Sequence, residues 1–152
     1  MHLALQEAKK AENLAEVPIG AVIVKEKKII ASGYNLREVA KDATMHAEMI
    51  AIRNANKVLD NWRIEQAAMF VTVEPCVMCS GALFLARISE IYFGAYNLKG
   101  GSAKILLDLF NIPAFHHNYI EGGILGDECA YLMSDFFRKK RKNLKEIDFR
   151  IT

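Results

Sequence analysis

Apolar positions recur with two different periods along this chain, and each change of period marks a predicted element. Residues 2–15 place apolar side chains on one stripe at helical spacing, and Pro18 follows, which predicts an amphipathic helix. The β-rich runs 19–24 and 28–33 come next, separated by a charged turn at 25–27. This pattern predicts a β-hairpin directly after the first helix.

The rest of the chain alternates between the two periods. We expect, in order, a polar loop over 36–45, a helix over 46–58, a strand over 67–73, a helix over 76–86, a strand over 88–94, a helix over 103–110, a short strand over 117–120 and a helix over 127–142. Strands that alternate with helices after a hairpin predict an α/β sandwich, in which helices cover a central sheet. No linker, repeat or low-complexity segment interrupts the pattern, so we expect residues 1–152 to form one domain.

The composition is typical of a folded, soluble protein. The chain has 152 residues, of which 52% are hydrophobic and 25% charged, and no apolar run approaches the ~20 residues that span a bilayer. Three cysteines are too few for a disulfide framework, and the first residues lack the apolar core of a secretory signal. We therefore expect a cytoplasmic protein that does not contact membranes.

Positive charge is concentrated near the C-terminus. Every residue of the run 138–142 is Lys or Arg, whereas the net charge of the whole chain is only +2, so the rest of the chain is net negative. Such a run suits a polyanionic partner such as nucleic acid. A solvated helix end, whose cations complement the helix dipole, explains the run equally well at this point.

Two cysteines open the predicted helix that follows Pro75. Cys76 and Cys79 are three residues apart, so on a helix both thiols lie on one face, at the end where the dipole favours thiolate. This pair on its own fits a metal site, a redox pair or two buried thiols. Cys129, in the final predicted helix, belongs to no motif and is expected to be a buried structural thiol.

A second motif, His46-Ala47-Glu48, opens an earlier predicted helix and favours the metal interpretation. His46 and the two cysteines make three zinc ligands, one fewer than a closed structural site has, so water is expected in the fourth position. Glu48 would then move protons between that water and a substrate nitrogen. The two motifs together predict a zinc-dependent hydrolase.

The motifs and most of the chain around them resemble the zinc-dependent cytidine and deoxycytidylate deaminase superfamily. H-x-E with P-C-x-x-C is the known signature of these enzymes, and the adenosine deaminases that act on tRNA are among those that define it. The resemblance to the superfamily lies in 17–24, Asn35, 46–49, 71–79, Ala82 and Arg87. Segments 93–95, 121–125 and 132–138 resemble the bacterial tRNA-specific adenosine deaminases more than enzymes acting on free bases or nucleosides.

The resemblance implies a fold, a reaction and a set of residue roles. The fold is a three-layer α/β/α sandwich with a mixed five-stranded central sheet. The reaction is the zinc-dependent hydrolytic deamination of the wobble adenosine in a tRNA anticodon, which gives inosine and ammonia. In the family, the substrate is an arginine tRNA. Glu48 would be the proton shuttle, and one zinc ion per subunit would be held by His46, Cys76 and Cys79. Asn35 would hydrogen-bond the purine in a substrate pocket formed with Val17, Pro18 and Ala47.

The resemblance also implies contacts with tRNA and a homodimer. The candidate RNA contacts are Asn97, Lys99, His117, Arg138, Lys139 and Arg141. Two positions depart from the family pattern: Asn97 stands where an acidic residue is common beside the target ribose, and His116 where an asparagine is usual. The predicted helix 76–86 is apolar on nearly all sides, as a helix covered by a second subunit would be.

Two other functions fit parts of the sequence. A deaminase of free guanine or cytosine would share the zinc site but would not need the cations of 138–142. A structural-zinc module that binds RNA would need a fourth protein ligand, which His116, His117 or Cys129 would have to supply, and it would leave Glu48 without a role.

Overall fold

The computed structural model describes residues 1–98, 100–101 and 119–151, with side chains as far as residue 143. Within this part of the chain the helices are α1 (His2–Asn13), α2 (Arg37–Ala40), α3 (Ala47–Leu59), α4 (Val77–Leu85) and α5 (Gly126–Ile151), and the strands are β1 (Gly20–Lys25), β2 (Lys28–Tyr34), β3 (Ala67–Val73), β4 (Glu90–Ala95) and β5 (Tyr119–Glu121). The predicted helix over 103–110 lies outside the described residues, as do Lys99, His116 and His117.

The strands form one mixed sheet in the order β2-β1-β3-β4-β5. Strand β1 pairs antiparallel with both β2 and β3, whereas β3 pairs parallel with β4 and β4 parallel with β5. Parallel neighbours need a crossover connection, and α4 supplies the one between β3 and β4. The predicted fold class, a sandwich around a mixed five-stranded sheet, is confirmed.

Helices cover both faces of the sheet, and two glycines let them approach closely. A Cβ on Gly33 would lie 2.5 Å from the carbonyl oxygen of Ala47 at the start of α3. A Cβ on Gly20, which points to the opposite face, would lie 2.2 Å from the carbonyl oxygen of Ala4 in α1. Helix α3 therefore rests directly on the backbone of β2, which places its first turn beside the end of that strand.

Most predicted bounds differ from the observed ones by one or two residues, and the larger differences concern the polar loop and the last helix. The polar loop 36–45 contains the short helix α2. Helix α5 does not end near residue 142 but continues to Ile151, so the C-terminal tail extends this helix. The last strand is described as Tyr119–Glu121, one residue past the predicted end at 120, whereas positions 117 and 118 of the prediction lie outside the described residues. Of the helices that the structure describes, none combines the length and the apolar character needed to cross a bilayer.

Candidate active site

The starts of two helices bring the predicted metal ligands together near the end of β3. His46 is the N-cap residue of α3 and Cys76 that of α4, and both have extended backbone conformations. Their side chains do not act as caps of these helices. Instead, both approach each other across the gap between the helices. Cys79 follows in the first turn of α4, where it lies on the same helix face as Cys76.

The spacing of the three ligand atoms fits a zinc ion. Nδ1 of His46 lies 3.7 Å from Sγ of Cys76 and 3.5 Å from Sγ of Cys79, and all three atoms are within 4.8 Å of one another. Tetrahedral zinc with ordinary bond lengths separates a nitrogen and a sulfur ligand by about 3.6 Å. Among the residues that the structure describes, no fourth His, Cys, Asp or Glu joins the group. Cys129 is therefore not a ligand of this site.

Hydrogen bonds within the group shift the pKa of all three side chains. Hydrogen bonds from Cys79 and His46 lower the pKa of the Cys76 thiol to about 3, so Cys76 is a thiolate at neutral pH. The neighbouring Cys76 thiolate, together with burial, raises the pKa of Cys79. The hydrogen bond with Cys76 also raises the pKa of His46. The three side chains thus share protons through their hydrogen bonds, and Cys79 and His46 must each present an unprotonated atom to bind a metal ion.

Glu48 is buried next to this group. It lies in the first turn of α3, two residues after His46, and is only 4% exposed. Burial raises the pKa of its carboxyl, while interactions with His46 and Cys79 act in the opposite direction. A carboxyl held in this way can take up and release a proton close to the metal ligands. It does not belong to the ligand group itself.

The predicted purine-binding residue, Asn35, is held at the end of β2. Its backbone N–H donates to the carbonyl oxygen of Ile19, and the N–H of Leu36 donates to the carbonyl oxygen of Met45, one residue before His46. The side-chain Nδ2 of Asn35 donates to Oε2 of Glu16 at 3.0 Å. Two hydrogen bonds of the adjoining backbone therefore tie Asn35 to the segments on either side of the predicted pocket.

The other predicted pocket residues differ in their accessibility. Val17 is half-buried, whereas Pro18 and Ala47 are buried. Ala47 has no exposed surface, and its carbonyl oxygen faces Gly33. The substrate roles of these three residues stay predictions.

Glu74, which the sequence pattern did not single out, holds the loop that carries Asn97. The N–H of Asn97 donates to Oε2 of Glu74 at 2.9 Å. Oδ1 of Asn97 in turn accepts the N–H of Gly100, and its carbonyl oxygen accepts that of Gly101. Gly101 pairs with Cys76 in an isolated bridge. Asn97 thus closes a turn that lies against the start of the metal-binding helix.

The basic run lies on α5, close to α1 and α2. Lys139 forms an ion pair with Glu12 at 3.4 Å, which connects α5 to the end of α1. Arg138 and Lys139 both pair with Asp135. Lys140 and Arg141 are exposed, and no carboxylate forms an ion pair with either of them within the described side chains. The uncompensated positive charge of the run therefore lies in its second half.

The comparison with known protein families identifies the family of this chain. The model for the cytidine and deoxycytidylate deaminase zinc-binding region matches residues 1–95. The chain belongs to the cytidine and deoxycytidylate deaminase family. The matched range contains all three residues of the metal group and Glu48. The zinc that this deaminase family binds agrees with the donor set and with the spacing of the ligand atoms.

Relatives within the deaminase family cover nearly the whole chain. A tRNA-specific adenosine deaminase of Bacillus subtilis is 46% identical over 146 residues, which are 95% of this chain and 91% of that protein. A solved structure from work on A-to-I editing by tRNA:A34 deaminases at the wobble position is 40% identical, with a TM-score of 0.80, and the match covers 87% of this chain and 96% of that one. A guanine deaminase structure from Bacillus subtilis is 38% identical, with a TM-score of 0.60, over 62% of this chain and 61% of that one.

Sequence signals for two further carboxylates of this deaminase, Glu16 and Glu74, were present but not recognised. Glu16 directly precedes the apolar segment that begins at Val17, and Glu74 stands between an apolar strand and Pro75. Both are 9% exposed or less. An acidic residue within an apolar run is costly to bury without partners, so such a residue indicates a hydrogen-bonding role.

Proposed function

We propose that this chain is a tRNA-specific adenosine deaminase that converts the wobble adenosine of an anticodon, in an arginine tRNA, to inosine and ammonia. Membership of the family makes it a hydrolytic deaminase. The observation that carries the proposal is the group of His46, Cys76 and Cys79 with the buried Glu48 beside it. The similarity to tRNA deaminases over nearly the whole chain supports tRNA as the substrate.

The reaction adds water to C6 of adenine and breaks the bond from C6 to the amine. Zinc, when bound, lowers the pKa of water towards ~7 and so makes a nucleophile available at neutral pH. Glu48 would take one proton from the attacking water and deliver it to a ring nitrogen. It would then transfer the second proton, from the hydroxyl now on C6, to the departing amine. The water oxygen remains on C6 of inosine, and ammonia leaves.

Each subunit would hold one zinc ion through His46, Cys76 and Cys79. Three protein ligands leave room for water, which a hydrolase needs and a closed structural site lacks. All three cysteines of the chain are free. Free thiols are required for zinc binding and fit a reducing cytoplasm, which is where we expect this enzyme to act.

The purine would lie between the metal group and Asn35. Val17, Pro18 and Ala47 would complete the pocket, with Val17 offering the most accessible apolar surface. The turn closed by Asn97 would flank the target ribose.

The cations of α5 would bind the phosphates of the anticodon stem-loop. Replacing Lys140 and Arg141 with Gln is expected to weaken binding of the stem-loop and to reduce the slope of log affinity against log salt by about 0.7–0.9 for each phosphate that is no longer neutralised. Turnover of bound substrate should change little, because phosphate contacts position the RNA without selecting the base. Dissociation constants measured at several salt concentrations give both quantities.

A charge-matched control for this pair lies at the other end of the sheet. Lys27 and Lys28 are exposed and lie at the β1–β2 turn, away from the metal group. Replacing both with Gln removes the same charge and should leave the slope unchanged. If the variant of α5 keeps the wild-type slope as well, the helix end does not bind RNA. Arg138 and Lys139 are expected to contribute less, because Asp135 pairs with both.

We expect the protein to be a homodimer. In the single chain, α4 buries Cys79, Ser80 and Leu83 but leaves Val77 60% and Leu85 70% exposed. A second subunit on this helix would remove both apolar side chains from water. Sedimentation equilibrium should give twice the mass of the chain at micromolar concentration, and a monomer there would contradict the expectation.

Ammonia release tests the proposed function directly. The substrates are an anticodon stem-loop with adenosine at the wobble position, the same stem-loop with guanosine there, free guanine and free cytosine. Release from the first alone, abolished by a zinc chelator and restored by zinc, supports a tRNA adenosine deaminase. Release from guanine or cytosine would identify a free-base deaminase, and RNA binding without any release would identify a structural-zinc module.

A further inference from the structure

Glu16 is a buried carboxylate for which the reaction has no direct use. It is 1% exposed and follows the end of α1. Ala15 before it has a positive φ of 59°, and the N–H of Glu16 donates to the carbonyl oxygen of Ala11. This left-handed residue ends the helix and turns the chain inward at Glu16. An acidic side chain at such a position must be hydrogen-bonded to be tolerated.

Both oxygens of this carboxylate accept hydrogen bonds from the neighbourhood of the predicted pocket. Oε2 accepts a hydrogen bond from Nδ2 of Asn35 at 3.0 Å. Oε1 accepts one from the backbone N–H of Val39, in α2, at 2.7 Å. Glu16 therefore connects the end of α1, the end of β2 and α2. The strand end and α2 border the segment that leads to His46.

A carboxylate can only accept hydrogen bonds, so it determines which way the amide of Asn35 points. With Nδ2 against Glu16, Asn35 retains its Oδ1 and one remaining N–H. Oδ1 of Asn35 takes no part in the hydrogen bond with Glu16. One amide N–H and one carbonyl oxygen are the groups that asparagine uses to bind the N7 and N6 edge of adenine.

We infer that Glu16 is a positioning residue, which holds the side-chain amide of Asn35 in the orientation that meets the purine. The inference rests on the proposed function, in which Asn35 binds the substrate base. Glu16 itself touches neither the substrate nor the metal group; it acts through Asn35.

The substitution Glu16→Gln tests this role because it changes one acceptor into a donor. The N–H of Val39 needs the remaining oxygen of Gln, so the new NH₂ group faces Asn35. Two NH₂ groups cannot pair, and the amide of Asn35 is then favoured in the flipped orientation, with its oxygen towards residue 16. The amide oxygen and NH₂ group of Asn35 then exchange places towards the purine, while the size of both side chains stays nearly the same.

Glu16→Gln is expected to lower kcat/KM for the stem-loop by about 10- to 100-fold, the effect of one hydrogen-bonding group left wrongly paired. Zinc content should stay at the wild-type level. Glu7→Gln, another glutamate of the α1 segment that pairs with Lys10, should leave kcat/KM unchanged. Equal kcat/KM for Glu16→Gln and wild type would overturn the inference.

A double-mutant cycle separates positioning from a merely structural role. If Glu16 acts through Asn35, Glu16→Gln has no further effect on kcat/KM once Asn35→Ala has removed the amide. If the two effects multiply, Glu16 contributes to the fold and not to the orientation of Asn35, and the inference is wrong. Wild-type turnover of the stem-loop is measured first, so failure of the proposed function is seen before any variant is compared.

A second pair of variants tests the same hydrogen bond if Glu16→Gln does not fold alone. Asn35→Asp places two carboxylates against each other. Asn35→Asp combined with Glu16→Gln restores one hydrogen bond with its direction exchanged, because the new amide at position 16 then donates and the new carboxylate at position 35 accepts. We expect kcat/KM of the double variant to exceed that of Asn35→Asp at least about 10-fold, the value of one recovered hydrogen bond to a charged group. No recovery would contradict the proposed role of this hydrogen bond.

Discussion

Replacing Glu48 with glutamine is expected to lower kcat by about 10³-fold or more while zinc stays bound. General acid–base catalysis contributes about 10²–10⁴-fold, and here the proton transfers at attack and at amine departure both depend on one carboxyl. Glutamine has nearly the same shape as glutamate, so the side chains packed around this buried position of α3 should not move. The measurements are single-turnover ammonia release and metal content of the purified variant.

Two controls show which property of Glu48 is responsible. Glu48→Ala should have an equally low rate and still bind zinc and the stem-loop, because the side chain does not belong to the ligand group. Glu26→Gln, an exposed carboxylate at the β1–β2 turn, should keep the wild-type rate. Loss of one zinc per chain in both Glu48 variants would mean that Glu48 is a metal ligand.

Replacing Cys79 with serine is expected to remove most of the bound zinc and, with it, nearly all activity. Cys79 is completely buried at 3.5 Å from Nδ1 of His46, and a hydroxyl does not replace a thiolate as a zinc ligand. Metal analysis should find close to one zinc per chain in the wild type and much less in Cys79→Ser. Full metal and full activity in this variant would exclude the proposed ligand set.

Cys129→Ser is the matched control for this prediction. Cys129 is 1% exposed, like Cys79, but lies on α5 against Gly94. Burial raises the pKa of its thiol to about 11, as expected for a structural cysteine. This variant should lose some stability by burying a hydroxyl, yet keep its zinc. A loss of zinc equal to that of Cys79→Ser would show that the assay reports unfolding and not ligand removal.

The local features of this chain were predictable because they depend on neighbouring residues. The period of the apolar positions predicted α1, the β1–β2 hairpin and the strand Ala67–Val73. The two-residue turn at Glu26 and Lys27 has positive φ at both positions, as hairpins prefer, although neither residue is glycine. Helix α2 was missed because a single turn of four residues has too few positions to establish a period.

The candidate metal ligands and the candidate proton shuttle could also be predicted, because they lie in two short sequence motifs. Cys76 and Cys79 lie on one helix face whenever 76–86 is a helix, and His46 with Glu48 opens the predicted helix 46–58. The ligand set and the shuttle could therefore be predicted before their positions in space were known. The distances of 3.5 and 3.7 Å from Nδ1 of His46 to the two sulfur atoms could not be predicted in this way. They depend on how α3 and α4 pack at one end of the sheet.

The sequence by itself determined which residues are the candidates for the chemistry, whereas the tertiary structure decided which residues hold them in place. Glu16 binds Asn35 across 19 residues, and Glu74 binds Asn97 across 23. No local period connects such pairs, because each depends on where a helix or strand ends after the sheet has formed. The same physical reason explains why Lys139 lies beside Glu12, 127 residues away: α1 and α5 both pack on the central sheet, and these two charges meet there.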